Sequence, residues 1–124
     1  MKTCSLLASF VLGATATMAS AQAVESGYPR GSLAVAAIER GDWVRAEALL
    51  NAAQTNKEDP AWLINLGQVY LHTGRQAEAL TAWRNALNSS RHVEVETLGG
   101  RLLSTREIAR QALARYETAA LGTR

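Results

Sequence analysis

The stretch that decides the fold is residues 60–88, PAWLINLGQVYLHTGRQAEALTAWRNALN. Pro60 can open a helix, because its missing N–H would be unpaired there in any case, and Asp59 can cap the same turn. Gly74 suits the left-handed backbone conformation that often ends a helix. Apolar residues recur at helical spacing on both sides of this glycine: Leu63, Leu66 and Tyr70, then Ala79, Leu80, Trp83, Ala86 and Leu87. The stretch therefore predicts two amphipathic helices joined by a tight turn.

A similar pattern occurs once more, upstream. Four pairs of residues share a separation of 33 positions: Gly41 and Gly74, Ala46 and Ala79, Leu50 and Trp83, Ala53 and Ala86. The apolar residues of the upstream copy lie on both sides of its glycine: Leu33, Ala34, Ala37 and Ile38, then Ala46, Leu49, Leu50 and Ala53. A fixed period of this length is typical of helical-repeat proteins.

The second copy resembles the tetratricopeptide repeat. The family pattern W-x-x-L-G-x-x-Y, followed by A-x-x-x-F, is matched by Leu63-x-x-Leu66-Gly67-x-x-Tyr70 and then Ala79-x-x-x-Trp83. Small residues such as Gly67 allow two helix backbones to approach closely. The second copy departs from the pattern at two positions, with Leu63 in place of Trp and Arg91 near the place of the closing Pro. The first copy has Ala34 and Ala37 in place of Gly and Tyr.

After residue 88 the helical period gives way to alternation. Residues 93–97 alternate apolar and polar side chains, Gly99 and Gly100 can form a turn, and residues 101–103 can return, which predicts a short β-hairpin over 93–103. An isolated hairpin is marginal in water. We therefore expect it to pack on the last repeat helix or on a partner chain.

A final helix is predicted by the capping-box sequence that begins at Ser104 and ends at Glu107. Its apolar stripe consists of Ile108, Ala112, Leu113, Tyr116 and Ala120. Repeat arrays need their apolar ends covered, and two repeats fall below the roughly three units usually needed for stability. We expect this helix to cap the array, with dimerisation through the same stripe as the alternative.

The first residues have the features of a cleavable signal peptide. Lys2 gives a positive start, residues 6–14 form a short apolar run, and Ala21-Gln22-Ala23 fits the small-x-small cleavage pattern. A membrane anchor is the alternative, but a span takes about 20 apolar residues and this run is shorter. We expect cleavage near Ala23, loss of the single cysteine Cys4 with the leader, and a periplasmic or secreted bacterial protein without a membrane span.

These features predict one mainly α domain after a signal peptide at 1–23. Two TPR-like helical hairpins, at about 32–55 and 60–88, are followed by a β-hairpin and a C-terminal capping helix within 89–124. The 124 residues are 48% hydrophobic with a net charge of +2, and acidic and basic residues are interspersed, so no nucleic-acid surface is predicted. A four-helix bundle with chance similarity is the alternative.

The sequence contains no recognisable catalytic or metal motif. His72 and His92 are the only histidines, and they are expected to be exposed helix-end or loop residues. Glu94 and Glu96 would share a strand face, but two carboxylates supply too few of the roughly 6–8 oxygens that Ca²⁺ takes. We expect no enzyme activity, no cofactor and no metal, and an enzyme or a metal carrier is the alternative based on these four residues.

The resemblance to tetratricopeptide proteins implies that the first helix of each unit lines a concave groove for an extended peptide or a helix. The expected groove residues are Val35, Ile38, Glu39, Ile64, Asn65, Gln68, Leu71 and His72. They are mostly apolar or amide, and no Lys or Arg accompanies Asn65, as a carboxylate clamp in this family would require. The resemblance thus implies a protein-interaction or scaffold module that binds an apolar segment of a protein partner.

Two alternatives remain open at this stage. The expected groove residues could instead pack against the terminal segments of the chain. The protein could also be a structural homodimer joined through the C-terminal helix, with no peptide ligand.

Overall fold

The computed structural model describes residues 27–53, 56–97 and 99–122. The expected leader at 1–23 lies outside the described residues. Within them the chain is mainly helical with one two-stranded antiparallel hairpin, as the sequence predicts. In chain order the elements are α1 (Val35–Glu39), α2 (Trp43–Ala52), α3 (Pro60–His72), α4 (Gln76–Leu87), β1 (Glu94–Glu96), β2 (Leu102–Ser104) and α5 (Thr105–Leu121).

The helical hairpin of α3 and α4 begins and turns where the sequence predicts. The Asp59 carboxylate accepts hydrogen bonds from the backbone N–H groups of Ala61 and Trp62, at 3.0 and 3.1 Å, and Pro60 occupies the first turn of α3. Gly74 has φ of 79° and lies between the two helices. Local capping therefore fixes the start of α3 and the turn between the two helices.

Close contact between α3 and α4 depends on Gly67. A Cβ atom at this position would lie 2.3 Å from Nε1 of Trp83, whose side chain is 1% exposed. The same Nε1 donates a hydrogen bond of 3.2 Å to the carbonyl oxygen of Ile64. The expected reason for the small residue, close approach of the helices, is confirmed.

The first helical hairpin is shorter than the sequence predicts. Gly41 has φ of 69°, and Asp42 caps α2 by accepting from the N–H of Arg45. However, α1 begins only at Val35, and Ala34 has φ of 55° in the left-handed region. The expectation that Leu33 and Ala34 form part of a helix is therefore wrong.

The physical reason lies in the residues before α1. Gly31 has φ of 83°, and Pro29 accepts a turn hydrogen bond from the N–H of Ser32. Glycine and proline both disfavour helix, so the first half of the expected helix forms turns. Leu33 nevertheless stays in the core with 0% exposure.

The β-hairpin pairs Glu94 with Ser104, Val95 with Leu103 and Glu96 with Leu102. Val95 is buried at 2% exposure and anchors the hairpin on the helices. The Ser104 hydroxyl caps α5 by accepting from the N–H of Glu107 at 3.2 Å, as the capping box predicts. The Glu107 carboxylate, expected to reach back, accepts from Gln111 and pairs with Arg110.

Helix α5 packs mainly on α4 and to a lesser extent on α3. Leu113 shares a buried cluster with Ala79 and Trp83, and the ring of Tyr116 stacks on Trp83 at a centroid distance of 5.4 Å. Ile108 and Ala109 join the larger core cluster that contains α3. Among the described helices, none combines the length and apolar character that a membrane span needs.

Candidate interaction surfaces

The structure divides the expected groove residues between the interior and the surface. The five buried ones are Val35, Ile38, Ile64, Asn65 and Gln68. Leu71 is half-buried, and Glu39 and His72 are exposed. Because the first five are buried, they do not line an open groove in the isolated chain, which corrects the expectation that they do. For Ile64 and Asn65 the reason is that the turn segment before α1 packs onto α3. Partner binding by these helices stays a prediction.

Asn65 shows how the inner side of α3 is covered. Its Nδ2 donates a hydrogen bond of 2.9 Å to the carbonyl oxygen of Leu33, and its side chain is 0% exposed. Leu33 and Ile64 belong to the same buried cluster. We call the side of α3 formed by Ile64, Asn65 and Gln68 the inner face. The alternative expectation, packing against a terminal segment, describes Asn65.

A second contact holds the N-terminal segment at the start of α3. The Tyr28 hydroxyl lies 3.1 Å from each oxygen of the Asp59 carboxylate and donates to it. Burial first, and then the Asp59 carboxylate, raise the pKa of Tyr28 to about 12, while Arg91 acts in the opposite direction. The neutral tyrosine is therefore the form that this contact stabilises.

The exposed members of the expected groove lie near the inter-helix turns. His72 stacks on Trp43 of α2, with ring centroids 4.1 Å apart and an angle of 2° between the planes. His72 is thus an exposed helix-end residue, as the sequence predicts, and it links the two helical hairpins.

Arg75 makes a second link between the helical hairpins. It donates to both carboxylate oxygens of Glu47, at 2.9 and 2.6 Å, and its guanidinium lies 4.6 Å from the centre of the Tyr70 ring. These hydrogen bonds lower the pKa of Glu47 and raise that of Arg75. Such bidentate geometry orients the turn before α4 relative to α2.

An open apolar depression lies between α3 and α4. We call it the α3–α4 groove; its volume is about 320 Å³ and its apolar lining is Leu63, Leu66, Tyr70, Ala77 and Ala82, with Thr81 beside them. Glu78 and Asn85 complete its rim. Ala77 and Thr81 are exposed, so a partner can reach this surface directly.

A polar depression of about 460 Å³ adjoins the α3–α4 groove, since Leu63 and Asn85 line both. Amide, hydroxyl and charged side chains line this second depression: Asn56, Lys57, Glu58, Asn88, Ser89 and Arg91. The Ser89 hydroxyl donates to the Glu58 carbonyl oxygen at 3.4 Å across it. The combined surface is therefore apolar at one end and polar at the other.

The candidate metal and catalytic residues are dispersed. Among the described residues, no group of three or more His, Cys, Asp or Glu side chains is placed to hold a metal ion. Glu94 and Glu96 are both exposed on one strand face, as expected. His92 is half-buried, which corrects its expected exposure, because its Nδ1 lies 3.4 Å from the buried Thr105 hydroxyl.

Sequence reasoning missed Tyr28, Trp43, Glu47 and Arg75 as contact residues. Asp59 follows Tyr28 by 31 positions, and Arg75 follows Glu47 by 28, so no local spacing could indicate either contact. Trp43 sits one residue after a helix cap, where an aromatic side chain indicates only partial burial. Sequence reasoning also did not single out Ala77 and Ala82, because only the packing of α3 against α4 places them beside an open groove.

Paired helices joined by glycine turns and packed through small residues define a helical-repeat fold. The model of a tetratricopeptide repeat family matches residues 37–89, which include α2, α3 and α4, and this match supports the tetratricopeptide repeat family for that part of the chain. A repeat of this family indicates a protein–protein interaction module. Comparisons with curated proteins and with solved structures gave no match.

Proposed function

We propose that this protein binds an apolar segment of a partner protein in the α3–α4 groove and acts as an adaptor without a chemical step. The observation that carries the proposal is an open groove whose lining is mostly leucine, alanine and tyrosine. The match to tetratricopeptide repeats supports an interaction role. The inner face of α3, by contrast, is occupied by the chain's own N-terminal segment.

The character of the groove defines the partner segment. Apolar side chains of the partner would remove Ala77, the methyl group of Thr81 and the exposed part of Tyr70 from water, which is the main favourable term in such binding. The adjoining polar depression offers amide groups and both signs of charge, so it suits a polar continuation of the same segment. We propose a short amphipathic segment rather than a charged tail as the ligand.

The experiment places a photo-crosslinking amino acid at position 81 in α4 and, separately, at position 48 in α2. These positions are equivalent in the two repeats and are both exposed. We expect a crosslinked partner protein from position 81 and not from position 48. Crosslinking at both positions, or at neither, would contradict the assignment to the α3–α4 groove.

A matched pair of double variants adds a second test. Ala77→Asp with Thr81→Asp introduces charge at the rim of the groove, and Val44→Asp with Ala48→Asp does the same at the equivalent positions of α2. All four positions are exposed, so both variants should keep their helical circular dichroism. Only the α4 variant should lose the crosslink to the partner.

We also propose that the adaptor works in the periplasm or outside the cell. The proposal rests on Lys2, the apolar run 6–14 and the Ala21-Gln22-Ala23 pattern. Mass spectrometry of the protein from fractionated bacterial cells should find a first residue near Val24 in the periplasmic or secreted fraction. An intact Met1 in the cytoplasmic fraction would contradict it.

A further inference from the structure

The segment of residues 28–34, which we call the strap, contacts α3 as a bound peptide would. Its Leu33 side chain is fully buried in the cluster that contains Ile64, and its Leu33 carbonyl oxygen accepts from Asn65 at 2.9 Å. At its other end, the Tyr28 hydroxyl donates to Asp59. One apolar anchor, one backbone acceptor and one side-chain hydrogen bond thus hold a non-helical segment.

The backbone of the strap is strained at its last residue, whereas one glycine lies within the strap and another directly before it. Ala34 adopts φ of 55°, a left-handed conformation that disfavours any residue with a Cβ atom. Gly27 and Gly31 have φ of 85° and 83°, which glycine adopts readily. In addition, Ser32 Oγ is buried and makes no hydrogen bond within the described part of the chain. The strap in its place on α3 therefore includes two unfavourable local features, the left-handed backbone of Ala34 and the buried hydroxyl of Ser32.

The repeat pattern shows that this arrangement is specific to the first unit. Leu33 is equivalent to Leu66, 33 positions later, and Leu66 lies in the middle of helix α3. At Leu33 the backbone is not helical, so its carbonyl oxygen is available to Asn65 instead of to an intrahelical N–H group.

We propose that the strap is an internal ligand of the inner face of α3, and that a partner segment binds there by displacing it. The partner segment is extended, carries one leucine-sized aliphatic side chain for the site of Leu33, and offers a backbone carbonyl oxygen to Asn65. This second surface is separate from the α3–α4 groove. Binding at it is opposed by the strap, whose attachment to the same chain gives it a high effective concentration.

The test uses peptide complementation. Leu33→Ala removes the anchor and leaves a cavity of leucine size, so the midpoint of thermal unfolding should fall by several degrees. A synthetic peptide with the sequence of residues 27–36 should raise that midpoint again, and the same peptide with alanine in place of leucine should not. The leucine peptide should also bind Leu33→Ala about tenfold more tightly than the native chain, where the strap competes.

Leu113→Ala is the matched control, because it also removes a buried leucine, in this case from α5, away from the strap. The peptide should leave its unfolding midpoint unchanged. The inference is overturned if the leucine peptide stabilises neither variant, or stabilises both to the same extent.

A second pair of variants keeps the test decisive if Leu33→Ala does not fold. Tyr28→Phe removes the contact with Asp59 and should increase peptide affinity severalfold, whereas Ala34→Gly relieves the left-handed strain and should decrease it. Equal affinities would overturn the inference. The α4 variant Ala77→Asp with Thr81→Asp should bind the peptide normally, so this result is independent of the proposed α3–α4 groove.

Discussion

At the scale of single residues, Gly67 shows how one missing methyl group positions two helices. Alanine normally stabilises a helix interior relative to glycine by about 0.5–1 kcal/mol, but overpacking a filled core costs about 1–3 kcal/mol. A Cβ atom at Gly67 would approach the Trp83 indole to 2.3 Å, and the indole is held by its bond to Ile64. We predict that Gly67→Ala lowers the free energy of unfolding by about 1–3 kcal/mol in urea titrations.

The partner in this contact can be tested by a double-mutant cycle. Trp83→Phe removes the atoms nearest to the added methyl group, so Gly67→Ala should cost less in that background than in the native chain. Equal costs in the two backgrounds would show that the indole does not limit residue size at position 67.

Tyr28 links stability to alkaline pH. Its pKa is about 12 in the folded chain against an ordinary value of 10.0. The unfolded chain therefore loses this proton first, and the stabilisation, complete below pH 10, is lost as the pH rises from 10 to about 12. We predict a steeper fall of the free energy of unfolding over this window in the native chain than in Tyr28→Phe.

The measurement is a pair of urea titrations for each protein, one at pH 9 and one near pH 12. Tyr116→Phe is the control, because Tyr116 stacks on Trp83, whereas it is Tyr28 that donates a hydrogen bond to the Asp59 carboxylate. An identical pH dependence in the native chain and Tyr28→Phe would contradict the role of the Asp59 contact.

At the scale of elements, α5 completes the array by covering α4. Leu113 is 6% exposed in the cluster with Trp83, whereas Leu102 on β2 is 67% exposed. We predict that Leu113→Ala lowers the free energy of unfolding by about 2–5 kcal/mol, and that Leu102→Ala changes it by less than about 0.5 kcal/mol. Similar costs for both substitutions, measured by denaturant titration, would contradict the capping role of α5.

At the scale of the whole molecule, the predictable features are those with local causes. Asp59, Gly74 and Ser104 each act within a few residues of the boundary that they set, so their sequence neighbours were sufficient to predict α3, its end and α5. The short α1 was not predicted, because Leu33 and Ala37 have helical spacing although the turn residues Pro29 and Gly31 precede them. In the structure Leu33 is buried in the core although its backbone is not helical.

The candidate surfaces were less predictable than the fold, because exposure depends on which segments meet. The family pattern places Ile64 and Asn65 on a groove surface, but only the three-dimensional contact between Asn65 and Leu33 reveals that the strap covers them. The α3–α4 groove likewise depends on the separation of two helices. None of the expected groove residues lines it, and only the packing of α3 and α4 determines that it stays open.

The same packing bears on the oligomeric state. A homodimer through the apolar stripe of α5 would have to separate Leu113 and Tyr116 from Trp83, which they cover within the chain. Val44 and Leu102, the exposed large apolar residues in the described part of the chain, lie on separate elements, and isolated apolar side chains are normal at a protein surface. We therefore predict that the purified protein has the mass of one chain in light scattering.

Tyr116→Ala separates the two possible uses of α5. In a monomer it should leave the scattering mass unchanged. It should also lower the unfolding midpoint, because the stacking of the Tyr116 ring on Trp83 within the chain is lost. In a homodimer joined through this stripe it should instead halve the mass and make the native unfolding midpoint depend on protein concentration. A concentration-dependent midpoint in the native protein would thus contradict the intramolecular cap and establish α5 as the dimer interface.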